Sequence, residues 1–323
     1  MRPRSSRLLV VVLAALAACK GAEKAPVPSA SPPSGSAPAA TPGSGSQAAA
    51  DPWTEKAPEK DPLKRPLLWS IEKDGKTSYA LGTMHLGIDP SSRLPDLVWQ
   101  KLDSEPTFAM ETDLAEGAKL EVLRKDGTTL RQELGDEYWK KLEDVLGVGE
   151  ASRMLTFKPM IPATILSKRG LPDTVAMDGV LQGRALNGKK KIVFLEPFSA
   201  QATVLLKWMN AQALKDMLDD IPGLEQRSKD MLAAYIAGDE AKILAIADSE
   251  RARWLEKGHP EKEYDEQMED LLYKRNASWI APIEKLHAEG GGFIAVGAMH
   301  LIGPRSVLEM LEKKGYKVTR LTP

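Results

Sequence analysis

Apolar and polar positions along this chain follow two rhythms. Short apolar runs bounded by turn residues lie at 67–71, 77–81, 107–110, 191–195, 293–296 and 316–321, and each reads as a β-strand. Asp74 and Gly75 sit between the first two runs, a hairpin signal. A helix is predicted from Pro95, because Leu97, Val98 and Leu102 fall on one face. From about 114 to 187 and from about 199 to 288 the pattern is mainly helical, with breaks at Gly127, Gly135, Pro159, Pro162 and Gly170. Pro304 is expected to open a last helix and Gly315 to close it. Strands at both ends and in the middle, with helices between, predict an α+β domain over 62–323. Its mixed β-sheet is built from N- and C-terminal strands around a large helical insertion.

The first sixty residues follow neither rhythm. Arg2, Arg4 and Arg7 precede an apolar stretch, Leu8 to Ala18, that is short for a membrane span, so 1–18 reads as a signal peptide. The stretch ends in Leu16-Ala17-Ala18-Cys19, and Cys19 is the only cysteine. The pattern resembles a bacterial lipobox, which predicts lipidation of Cys19 and attachment to a lipid bilayer in the cell envelope. Lys20, rather than aspartate, favours the outer membrane. Residues 19–61 are rich in Ala, Pro, Ser and Gly and have few side chains able to pack, which predicts a flexible tether. A coil of about 40 residues reaches on the order of 35 Å. One cysteine allows no internal disulfide, so the core alone must hold the fold. The formal net charge is −1, and the run Lys189-Lys190-Lys191 is short and precedes a strand, so no nucleic-acid partner is expected.

The candidate chemistry lies in a phrase that occurs twice. Gly82-Thr83-Met84-His85-Leu86-Gly87 follows the second strand, and Gly297-Ala298-Met299-His300-Leu301 follows the fifth. Two of the four histidines stand at equivalent positions there. Imidazoles at strand ends on glycine-flanked turns suit metal ligands or proton carriers, provided the two turns meet in space. Glu111, after the apolar run 107–110, would be costly to bury unpaired and so should face a metal, a cation or solvent. Two histidines and one carboxylate suffice for a catalytic divalent ion, so the predicted metal set is His85, His300 and Glu111, with Asp113 as a substitute for Glu111. Arg275, beside Asn276, would neutralise an oxyanion or orient Glu111, or else be solvated on its helix. Asp178 and Glu196 are further acids, Glu196 as a brace of the sheet's edge. His259 reads as loop and His287 as a partner of a helix dipole.

These residues resemble the TraB/GumN family, to which the Tiki membrane proteases are related. The resemblance covers about 66–321. It rests on Leu68-Trp69, the two histidine phrases, Met110-Glu111, Leu195-Glu196 with Gln201, Arg275-Asn276 and Gly315-Tyr316. It implies a Tiki-like fold and a metal-dependent hydrolase, with manganese or cobalt, or zinc, at His85 and His300 and with Glu111 as the acid. The implied substrate is an envelope peptide or protein. A non-catalytic ligand-binding or assembly-accessory lipoprotein is the alternative.

Overall fold

The computed structural model describes residues 61–323. The expected signal peptide, Cys19 and the tether as far as residue 60 lie outside the described residues. Six strands form one mixed sheet: β1 Leu68–Lys73, β2 Lys76–Thr83, β3 Thr107–Met110, β4 Lys191–Phe194, β5 Phe293–Gly297 and β6 Lys317–Leu321, in the order β4-β3-β5-β2-β1-β6. β1 and β2 form the expected hairpin. Asp74 and Gly75 carry φ of 51° and 71°, the two positive values that a tight turn matched to strand twist requires. β1 pairs antiparallel with β6, whereas β2, β5, β3 and β4 are mutually parallel neighbours. β5 is buried along its whole length, as a central parallel strand covered on both faces must be.

The helical intervals are more broken than their pattern suggests. The 199–288 stretch divides into the helices Phe198–Trp208, Ala211–Leu218, Ile221–Ala237, Glu240–Glu256, Glu261–Met268 and Lys274–Ala288, with a π-helical turn at Glu269–Tyr273 before the last. Side-chain caps at Asn210, Asp220 and Asp239 mark three of the starts. Pro304 does not open the last helix. That helix is Val307–Lys313, capped by the Ser306 hydroxyl accepting from Glu309 N, and a hydroxyl at this position satisfies a backbone donor that proline leaves free. Among the described residues no helix is long and apolar enough to cross a membrane.

Two apolar cores result. One packs against the sheet around Phe108, Phe293 and Trp279; the other joins the inserted helices around Trp139, Trp208 and Trp254. Met299 packs against both. His287 stands in the last turn of the Lys274–Ala288 helix, the helix-end place expected of it. It is a buried imidazole that accepts from the Ser78 hydroxyl at Nδ1 (2.8 Å) and donates from Nε2 to Lys73 O (3.1 Å). His259 lies in a loop as expected, yet it faces Asp216 (3.1 Å) and stacks on Trp254.

The two histidine phrases meet because their glycines admit each other. Thr83 pairs with Gly297 across β2 and β5. A Cβ on Gly82 would lie 3.0 Å from Ala298 Cα and 3.2 Å from Leu67 Cβ. Gly82→Ala should therefore lower stability by about 1–3 kcal/mol through overpacking, read as a reduced urea midpoint at constant slope.

Candidate active site

Four parallel strands end side by side, and each delivers one ionisable residue. In sheet order these are Glu196 after β4, Glu111 after β3, His300 after β5 and His85 after β2. Ligand sites in parallel sheets lie at such carboxyl ends. A Cβ on Gly297 would stand 3.3 Å from both Glu111 Oε1 and His85 Nε2 and 3.6 Å from His300 Cδ2, so the three side chains surround one glycine. His300 Nε2 lies 3.8 Å from Glu111 Oε1.

His85 is held by the helix that carries Asp178. Met177 N donates to His85 O (3.1 Å), which docks the start of the Met177–Asn187 helix on the turn after β2. Asp178, next in that helix, meets His85 Nδ1 through one carboxylate oxygen and accepts from Thr83 Oγ1 (3.0 Å) through the other. The ring thus presents Nε2 to the site. Burial opposes charging this imidazole, but the Asp178 carboxylate outweighs it and Glu111 adds to it, so the pKa is raised above 6.5.

Arg275 organises the rest. Its Nε donates to Glu196 (3.0 and 3.1 Å), Nη2 to Glu111 Oε2 (2.8 Å) and Glu196 Oε1 (2.6 Å), and Nη1 to Leu271 O (2.9 Å) and His300 Nε2 (3.2 Å). A guanidinium has five N–H groups, and all five are used here. Arg275 is therefore neither solvated nor open to an oxyanion; it orients Glu111. Glu196 belongs to this cluster and does not merely brace the sheet. Glu111 also accepts from Gln201 Nε2 (2.9 Å) and Gly297 N (2.8 Å). Burial would raise its pKa, yet Arg275 and then the two histidines and the Gly297 amide hold it at about 2. Asp113 does not replace it, because its side chain caps the 3-10 helix Leu114–Lys119.

His300 is neutral. Its Nε2 receives Arg275, so Nδ1 carries the proton and donates to Asn276 Oδ1 (2.6 Å). Burial pushes the pKa down to about 3, with Arg275 and His85 assisting against Glu111. Trp279 packs on the ring, with centroids 4.4 Å apart. Above this polar floor is a cavity of about 100 Å3 with apolar walls that include Met84, Leu171, Met231, Leu272 and Met299.

The expected metal set fits this arrangement poorly. His85 and His300 each have Nδ1 tied to a supporting group, as metal-binding imidazoles do. However, His300 Nε2 and three of the lone-pair positions of Glu111 are already engaged, and the Arg275 guanidinium supplies the positive charge. Among the described residues no group of three or more His, Cys, Asp or Glu side chains is arranged to hold a metal ion. Thr83 and Asn276 are the partners least visible in the sequence, whereas Asp178 stands there as a further acid without a partner assigned. The available signals were the two-residue spacing of Thr83 and His85 at a strand end and the adjacency of Asn276 to Arg275.

The TraB/PrgY/gumN family model matches residues 67–320. No curated protein and no solved structure matches the chain.

Asp178→Asn should lower the His85 titration midpoint, which in the wild type lies above 6.5, in an NMR titration of the imidazole resonances. The raised pKa contributes stability below the unfolded value that is lost as pH rises through the folded one, and the variant should lack this dependence. Arg275→Ala strands two buried carboxylates and should cost about 3–5 kcal/mol by denaturant unfolding. Glu111, depressed from 4.5 to about 2, adds stability that disappears as pH falls across that interval. The acid slope of unfolding should be shallower in Glu111→Gln.

Proposed function

Given that this chain belongs to the TraB/PrgY/gumN family, we propose that it is a hydrolase of the cell envelope in which His85, oriented by Asp178, acts as general base on a water. The observation that carries this reading is the Asp178–His85 pair, whose free Nε2 faces Glu111 Oε1 across Gly297 at the floor of an apolar cavity. Two acceptors so placed can hold a water by its hydrogens and direct its lone pair into the cavity. Glu111, with a pKa of about 2, is too weak a base to retain the proton, whereas His85, whose proton affinity Asp178 raises, is the stronger base of the two. Asp178 keeps Nδ1 protonated and stabilises the imidazolium that forms. A peptide bond as substrate follows from the resemblance to the Tiki proteases. Lipidation of Cys19 would tether the domain to a bilayer, with the outer membrane favoured, and so confine it to envelope peptides and proteins.

Metal-dependent hydrolysis with manganese, cobalt or zinc is the second reading. It is favoured by the two supported imidazoles beside one glycine and requires Arg275 to leave His300. One experiment separates these readings: peptide-library turnover by wild type, His85→Ala and His300→Ala, each after chelation and after reloading with each metal. Turnover that survives chelation, is lost in His85→Ala and has an acid limb above pH 6.5 supports the base mechanism. Turnover that returns only with metal, with stoichiometric metal lost in both variants, supports the second. Absence of turnover in every state would leave a ligand-binding or assembly-accessory lipoprotein.

A further inference from the structure

A second cleft, of about 450 Å3, adjoins the catalytic cavity and shares Leu272 and Met299 with it. Neither side chain stands on regular α-helix. Leu272 belongs to the π-helical turn Glu269–Tyr273, in which Lys274 N reaches back five residues to Glu269 O, and Met299 belongs to the 3-10 turn Ala298–His300. π-helical turns concentrate at functional sites, and methionine is the most adaptable apolar side chain. The partition between the cavities is therefore thin and deformable. The catalytic cavity, about 100 Å3, has room for one small apolar group, so any larger substrate must extend beyond it.

The charges around the second cleft are unbalanced. Arg305 is paired with Glu269 and Arg251 with Glu261, so both cations of the cleft are engaged. Asp248 and Asp265 also line the cleft, are exposed, and are in no ion pair among the described residues. Tyr264 also lines the cleft, and its phenol is pushed up to about 12 by burial, Tyr273, Asp248 and Asp265 against the opposing effect of Arg251. Arg305 already lies over the Tyr273 ring, 4.1 Å from its centroid, so the cleft offers a cation on an apolar chain its apolar lining and the two aspartates of its rim.

The geometry points to this cleft as a second substrate subsite, occupied by the continuation of an extended peptide that bears a lysine or arginine side chain. The inference rests on the hydrolase reading for the word substrate, but the binding it asserts can be measured without turnover. Two fluorescein-labelled hexapeptides, identical except for lysine or glutamate three residues beyond a leucine, are titrated by anisotropy against the full chain in detergent carrying His85→Ala. The lysine peptide should bind about three- to tenfold more tightly at low salt, and Asp248→Asn with Asp265→Asn should bring the ratio toward one. A ratio of one in the parent, a ratio unmoved by the double substitution, or no binding of either peptide overturns the subsite. If the ratio behaves as expected but wild type cleaves neither peptide, the subsite stands and hydrolysis of such peptides fails. If wild type cleaves both equally and the ratio is one, hydrolysis stands and the subsite fails.

Discussion

Arg275 makes the floor of this site physically tenable. Glu111 and Glu196 are both buried at adjacent strand ends, and two carboxylates there would repel each other in a medium that screens poorly. One guanidinium reaches both and also reaches Leu271 O and His300 Nε2, thereby tying the ends of β3 and β4, a π-helical turn and the turn after β5 to one planar group. Lysine could not substitute, since a point charge lacks the fork that spans these acceptors. The same contacts fix the tautomer of His300 and leave His85 as the imidazole whose outward nitrogen is free. The different surroundings of two histidines that look equivalent in sequence follow from which of them the arginine touches.

The position of the site follows from the sheet. Four parallel neighbours must all present their carboxyl ends on one edge, so residues far apart in the chain become a row. The helical insertion packs its own core against that edge, and Met299 belongs to the boundary between the two cores. The cavity therefore lies between two separately packed bodies, which gives it apolar walls above a charged floor. Glycines at 82 and 297 are needed because each phrase passes within van der Waals contact of the other.

Much of this was legible along the chain. The six strands, the hairpin at Asp74 and Gly75, and the two phrases ending in His85 and His300 all announce themselves by local pattern, since strand periodicity, turn chemistry and glycine placement are properties of neighbouring residues. The importance of Glu111 was legible for a related reason, because an acid after a wholly apolar run demands a partner. Helix boundaries after Phe198 were less visible, and Pro304 misled, because caps such as Ser306 act through single hydrogen bonds that leave little periodic trace.

Partnerships across the fold left no such trace. Asp178 reaches His85 only because the Met177 amide docks on the His85 carbonyl, and nothing in the composition of the Met177–Asn187 helix announces that contact. Arg275 could equally have faced solvent, and the burial of its five donors depends on two strands and two irregular turns converging on one helix face. Local sequence specifies which groups need partners; the choice among partners is made by packing, because hydrogen bonds and charge pairs depend on distances that the chain sets only after it has closed on itself.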